Sequence, residues 1–159
     1  MELRVLGYFL AIAREQSIIR AATSLHLSQP TLSTQIRKLE EELGKQLLVR
    51  GSKGSRKVTL TEEGMILKKR AEEILHLVEK TEKEITFSDH GVVGDVYIGA
   101  GETDALRLLA QSAKALHQSH PGIHYHLSSG NAEFVLEQLE KGLIDFGIVF
   151  GNVDFTKYN

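Results

Sequence analysis

The 159-residue chain predicts a mainly α winged helix-turn-helix at its N-terminus, then one long helix, then the beginning of an α/β domain. Three observations predict this. Apolar residues recur at helical spacing through the first sixty positions and end in two short strand-like runs around a basic, glycine-bearing turn. From Thr61 to Phe87 nothing breaks a helix. Past Gly94 the pattern changes to short apolar runs alternating with helical stretches, the mark of an open, largely parallel sheet. The predicted segments are therefore 1–60, 61–88 and 92–159.

Composition narrows the function classes. Hydrophobic residues make up 42% and charged residues 25%, the mix of a folded globular protein. No apolar run is long enough to span a bilayer, and the start Met1-Glu2-Leu3-Arg4 lacks a basic leader, so a cytoplasmic protein without a membrane partner is expected. The absence of cysteine excludes a disulfide framework, a thiolate metal site and a cysteine nucleophile. The net charge of −2 argues against nucleic acid only until it is divided. Residues 1–60 hold ten Lys/Arg against five Asp/Glu, residues 61–87 five against seven, and residues 88–159 four against nine. A basic head thus sits on an acidic tail, and a basic head is the electrostatic footprint of nucleic-acid binding.

Leu3, Leu6, Leu10 and Ala13, with Phe9 beside them, predict a helix over 3–14. Gln16-Ser17 breaks it, and Ser17 caps a second helix that buries Ile18, Ala21, Ala22 and Leu25 and ends near His26. Ser28 caps a third helix, in which Pro30 costs no hydrogen bond because the first turn has no intrahelical acceptor for its amide. Leu32, Ile36, Leu39 and Leu43 make its buried stripe, and Gly44 stops it. Gln29, Thr31, Ser33, Thr34, Arg37 and Lys38 are expected on the opposite face. Short hydrogen-bonding side chains there reach base edges in a major groove, and the cations meet phosphates. Most polar helix faces are merely solvated; this one stands out because residues 16–39 contain no acid while Arg20, Arg37 and Lys38 are present. Leu47-Leu48-Val49 and Lys57-Val58-Thr59-Leu60 read as two strands, with Arg50, Lys53 and Arg56 in the turn between them. A basic hairpin after a helix-turn-helix is a wing, suited to backbone or minor-groove contact.

The order Ala21-Ala22, Leu27-Ser28-Gln29-Pro30, Leu32-Ser33, Gln35-Ile36, Leu39-Glu40, Leu43-Gly44, Leu47, Arg50 and Leu60-Thr61-Glu62-Glu63-Gly64 resembles the N-terminal domain of LysR-type transcriptional regulators. The resemblance implies that Gln29, Pro30, Thr31, Ser33 and Thr34 enter the major groove and that Arg50 and the wing touch phosphate or minor groove. Two departures stand out. Ile18 and Ile19 replace an aromatic and a hydroxyl residue, so position 19 offers phosphate no hydroxyl. The wing is also long, adding Lys53, Arg56 and Lys57 as candidates.

Thr61 followed by Glu62 and Glu63 is a helix start with acids where the dipole favours them. Leu60, Gly64, Leu67, Ala71, Ile74, Val78, Thr81 and Ile85 then repeat at three- and four-residue steps, a heptad seam. A long helix packed on its own domain is the rival reading. The resemblance implies the linker helix that pairs two subunits into a homodimer or homotetramer, and a two-fold axis suits a pseudo-palindromic operator.

After Asp89-His90-Gly91, strands are expected at 96–100, 124–127 and 144–150, with helices at 103–117 and 131–141. Ligands in such sheets bind beyond the carboxyl ends of the strands, which singles out Gly101, Glu102, Thr103, Ser128, Ser129, Gly130, Asn131 and Gly151. Ile98-Gly99, Pro121-Gly122, Gly130-Asn131, Leu139, Gly142 and Ile144-Asp145 resemble the start of the LysR effector-binding domain. The resemblance implies periplasmic-binding-protein-like lobes closing on a small-molecule inducer, with Thr103 and the amides of residues 102–103 and 131–132 facing it. With the strand-end argument this marks Glu102, Thr103, Ser129 and Asn131 as the expected effector site. Ala132 stands where the family often has a hydroxyl residue. Family members run considerably longer, so the other wall of the cleft is expected to lie outside this chain, and a half-domain is expected to expose apolar surface.

The expected function is a sequence-specific, double-stranded-DNA-binding transcriptional regulator, not an enzyme, needing no cofactor. Rival readings exist. Gly99-Ala100-Gly101 after a strand fails as a dinucleotide fingerprint because Asp104 replaces its third glycine. His117, His120, His124 and His126 raise a dimeric α/β protein with a metal-binding or enzymatic role, His124 and His126 sharing a strand face. A dimerisation module whose basic head meets an acidic protein is the remaining alternative.

Overall fold

A computed structural model describes residues 1–51, 57–87, 92–101 and 104–150. Lys53 and Arg56 of the wing turn, Asp89, His90 and Gly91 before the first strand of the sheet, and Glu102, Thr103 and Gly151 of the expected cleft lie outside the described residues. The chain divides into two compact units, Met1–His76 and Leu77–Asn159.

The first unit is built from α1 (Leu3–Glu15), α2 (Ile18–Ser24), α3 (Gln29–Leu43), β1 (Leu48–Arg50), β2 (Val58–Leu60) and the start of α4 (Glu62–Phe87). Its core brings Phe9, Ile12, Leu32 and Ile36 to 0% exposure, with Leu39 and Leu47 nearly as enclosed. The inner stripe of α1 is Val5, Leu6, Phe9 and Ile12 rather than the one built on Leu3, Leu10 and Ala13. Leu3 is exposed and Leu10 and Ala13 are half-buried. The helix is rolled by about one residue, which trades Leu3 and Leu10 for the larger continuous surface of Val5, Phe9 and Ile12. Ala21 and Ala22 are both buried, consistent with a close helix crossing.

Local chemistry sets the turns. Gln16 adopts a left-handed conformation and ends α1, and the Ser17 hydroxyl accepts from the Arg20 amide to cap α2. Ser28 Oγ accepts from the Thr31 amide at 3.2 Å, Pro30 falls in the first turn, and Gly44 ends α3 at φ 62°. Leu43, expected in the stripe, is exposed, because the last turn of α3 runs past the core. The strands sit one residue later than expected at their starts and pair antiparallel, Leu48 opposite Leu60 and Arg50 opposite Val58. The Val58 amide donates to Gln16 O at 2.9 Å, tying the wing to the end of α1.

Thr61 caps α4 as expected, its hydroxyl accepting from the Gly64 amide at 2.9 Å and donating to Gln46 O at 2.7 Å. Gly64 is dictated by space: a Cβ there would lie 2.1 Å from the Leu47 carbonyl oxygen. Glu63 meets Lys45 at 3.3 Å, and first a backbone hydrogen bond, then that lysine, hold its carboxyl below the usual range. The expected seam is split. Gly64 and Ala71 are buried, and Leu60 and Leu67 pack against the winged core, so the first half of the stripe serves its own domain. Among the described side chains of α4, Met65, Ile66, Leu77 and Ile85 are the exposed large apolar ones.

The second unit holds the end of α4, β3 (Gly94–Ala100), α5 (Ala105–Ser119), β4 (Ile123–Ser129), α6 (Ala132–Glu140) and β5 (Phe146–Ile148). The strands are parallel in the order β4-β3-β5, with Val96 beside Tyr125 and Gly99 beside both Ser128 and Gly147. Tyr97, Val135 and Ile144 form the core. The third strand is shorter than expected because Asp145 turns its side chain onto the Tyr97 amide at 2.9 Å while its own amide donates to Tyr97 O. Lys80 of α4 donates to Asp145 at 2.6 Å and to Gly142 O at 3.1 Å, and Lys83 pairs with Asp95 at 2.9 Å. The unit boundary falls inside α4 because the two ends of that helix have different partners.

Candidate nucleic-acid interface and ligand pocket

The N-terminal turns of α3 present Pro30, Thr31, Thr34, Arg37 and Lys38 as exposed side chains. Thr31 is steadied by the Ser28 hydroxyl at 2.7 Å. Gln29 is exposed and donates to Ser33 Oγ at 2.8 Å. Ser33 itself departs from the expected outward face: it is 8% exposed, on the shoulder of the Leu32–Ile36 stripe where a small side chain fits. It therefore supports Gln29 from behind instead of facing solvent.

Arg50, which ends β1, and Lys57, which precedes β2, lie at the same end of the wing hairpin and are both exposed. Lys57 also lines an open pocket of about 400 Å³ with Gln16, Ser17 and Arg20. The Arg20 guanidinium donates to the Glu15 carbonyl, so it is held at the rim. In the sequence Arg20 is legible only as one cation in the acid-free window; its meeting with Lys57 depends on the wing folding back to Gln16.

One acid of α3 is turned onto the backbone of the domain. Glu40 Oε1 accepts from the Leu47 amide at 2.8 Å and the Leu48 amide at 3.2 Å. Glu42 takes the N-terminal ammonium at 2.7 Å.

In the second unit an open pocket of about 430 Å³ lies beyond the carboxyl ends of all three strands, lined by Gly101, Ser129, Gly130, Asn131 and Phe150 among others. Ser129 and Asn131 are thus together, and Asn131 Oδ1 also accepts from the Phe134 amide at 2.8 Å to cap α6. Backbone amides of Gly101 and Gly130 are engaged by Ile148 O and Ala100 O, which shapes the rim.

The four histidines do not assemble. His126 Nε2 meets Asp95 Oδ1 at 2.7 Å and its ring stacks on Tyr97 at 4.5 Å, while His120 Nδ1 meets Ser119 Oγ at 2.9 Å. Among the described residues no three His, Asp or Glu side chains converge as metal ligands would. Burial pushes the Asp95 carboxyl up, but His126 and Lys83 outweigh it and hold it below the ordinary range. Lys83 is raised by Asp95 first and Glu79 second.

Residues 3–65 match the bacterial regulatory helix-turn-helix profile of the lysR family, and residues 89–159 match the LysR substrate-binding domain. The chain is 39% identical over 145 residues to the DNA-binding transcriptional dual regulator OxyR of Escherichia coli K12, covering 91% of this chain and 47% of that protein. Full-length CbnR complexed with its target DNA superposes with a TM-score of 0.79 at 31% identity, covering 92% of this chain and 49% of that one. The DNA-binding domain of BenM with catB site 1 DNA gives a TM-score of 0.53 at 45% identity, over 57% of this chain and 98% of that one. The chain spans about half the length of the curated relatives it matches. With a winged helix-turn-helix in one unit, a parallel α/β sheet in the other, and both parts matched in order, the chain belongs to the LysR family of bacterial regulatory helix-turn-helix proteins.

Proposed function

We propose that this chain supplies the DNA-binding, linker and first effector-lobe parts of a cytoplasmic, sequence-specific transcriptional regulator that works as a dimer or dimer of dimers. The observation that carries the reading is the exposed face of α3, where Pro30, Thr31, Thr34, Arg37 and Lys38 project from a core-anchored helix with Arg50 and Lys57 on the adjoining hairpin. Gln29, Thr31 and Thr34 read base edges, and Arg37, Lys38, Arg50, Lys53, Arg56 and Lys57 meet phosphates or the minor groove. DNA complexes of the similar proteins CbnR and BenM support this direction of binding.

The exposed apolar residues of α4 suit subunit pairing, which sets two recognition helices on successive half-sites. The pocket at Ser129 and Asn131 receives a small-molecule inducer, and Glu102 and Thr103 are proposed from the sequence to contact it as well. The protein is not an enzyme on this reading; its chemistry is differential binding.

The test is selection of duplexes from a random-sequence pool by the full chain, followed by affinity against salt. Enrichment of one pseudo-palindromic sequence, with log affinity falling linearly in log salt, is the expected result. Retention of acidic proteins but no DNA would sink the reading.

A further inference from the structure

We infer that Glu40 is a positioning residue that sets the wing relative to the recognition helix. The inference rests on the DNA-binding reading above. Glu40 sits on α3, two turns beyond Ser33, and its carboxylate leaves the helix to take two consecutive amides, Leu47 at 2.8 Å and Leu48 at 3.2 Å. Those amides open β1, whose last residue is Arg50. One carboxylate oxygen therefore clasps the reading helix to the strand that carries the first wing cation.

The placement answers an electrostatic problem. An acid near the C-terminal half of a helix is disfavoured by the helix dipole, and an acid on a helix that meets a polyanion is repelled by it. Turning the charge onto two backbone donors, each a charge-assisted bond, satisfies it inside the domain. The opposite side of the same segment is held independently. The Thr61 amide donates to Leu47 O at 3.0 Å and the Thr61 hydroxyl donates to Gln46 O at 2.7 Å, while Leu47 and Leu48 are buried at 1% and 4% exposure. Removing the clasp should therefore leave the strand paired and the core closed but free the hairpin to shift against α3. What Glu40 supplies is an acceptor at a fixed distance, and its charge works against DNA. That separates two substitutions that a general stability role would not: Glu40→Gln keeps an oxygen on the same-length side chain, and Glu40→Ala removes it.

The experiment compares the full chain with Glu40→Ala and Glu40→Gln on the duplex that the wild-type chain selects. The readouts are amide hydrogen exchange at Leu47 and Leu48, the salt slope, and the penalty for single base changes. The expected result is faster exchange at both amides in Glu40→Ala and a salt slope lower by about one for each wing cation that no longer meets a phosphate, with base penalties unchanged. Glu40→Gln should restore slow exchange and bind at least as tightly as wild type. Wild-type exchange and slope in Glu40→Ala overturn the inference. So does a parallel fall in slope in both variants, which assigns the effect to charge. A fall in melting temperature and base penalties together in Glu40→Ala, not rescued by Gln, reduces Glu40 to a folding residue and also overturns it. Should the wild-type chain select no duplex, the DNA reading is what has failed, and the exchange contrast between the two variants still decides the clasp.

Discussion

Gln29 and Ser33 are joined side chain to side chain, Gln29 Nε2 donating to Ser33 Oγ at 2.8 Å from one turn earlier on α3. On the proposed DNA-binding reading the pair divides the labour of recognition: the exposed amide reaches outward and the nearly enclosed hydroxyl fixes its angle. Gln29→Ala is expected to relax discrimination at one base position by about 1–3 kcal/mol, measured as the spread of affinities over single base changes. Ser33→Ala should blunt the same position by less, because the glutamine persists but loses its brace. Equal and uniform weakening across all sequences by both variants would count against this arrangement.

Arg50 and Lys57 lie at the same end of the paired strands, Arg50 closing β1 opposite Val58 and Lys57 just preceding β2, and both are exposed. Neutralising either one should weaken binding to every duplex alike and lower the log–log salt slope by about one. Titration at several salt concentrations on the selected duplex and on a scrambled one separates this behaviour from that of Gln29.

Asp95 is 11% exposed, with Lys83 at 2.9 Å and His126 at 2.7 Å, and its folded pKa is lowered by those neighbours despite burial. The sign follows from linkage. The ionised carboxylate stabilises the fold above the ordinary aspartate value of about 3.9, and that share is lost as pH falls through the lower folded value. Asp95→Asn should cost about 1 kcal/mol near neutrality by urea unfolding, with the gap to wild type closing in acid. A gap that widens in acid contradicts the assignment.

Gly64 and Gly7 are both helical, yet only the first faces an obstacle. Gly64→Ala places a methyl 2.1 Å from a backbone oxygen of Leu47, whereas at Gly7 nothing lies within 4 Å. Thermal unfolding should show Gly64→Ala destabilised by about 1–3 kcal/mol and Gly7→Ala stabilised by about 0.5–1 kcal/mol.

What can be read from the chain alone is whatever local chemistry decides. Ser17, Ser28, Gly44 and Thr61 bound their helices as residue type and position require, and Ser129 and Asn131 reach one pocket because both lie at the carboxyl end of the same strand. Facts that depend on distant packing are not legible there. Ser33 and Thr34 are equally polar neighbours, and only the crossing of helices decides which is enclosed. The seam of α4 has the same period whether its stripe covers a partner or its own domain, so Leu67 cannot be told from Ile85. The bond between Asp95 and His126 needs the register of β3 against β4, and Glu40 meets Leu47 only because the chain doubles back after Gly44.

The strand order β4-β3-β5 has one more consequence. The chain leaves the middle strand β3 for one flank, β4, and crosses to the other, β5, and an open pocket lies beyond the carboxyl ends of all three strands. On the proposed reading, the place where an inducer settles is written into connectivity, and its chemical taste into Ser129, Asn131 and Phe150. Substitutions at those three positions would then retune what is held without moving where it is held, so that a sensor of this build changes its signal while keeping its address.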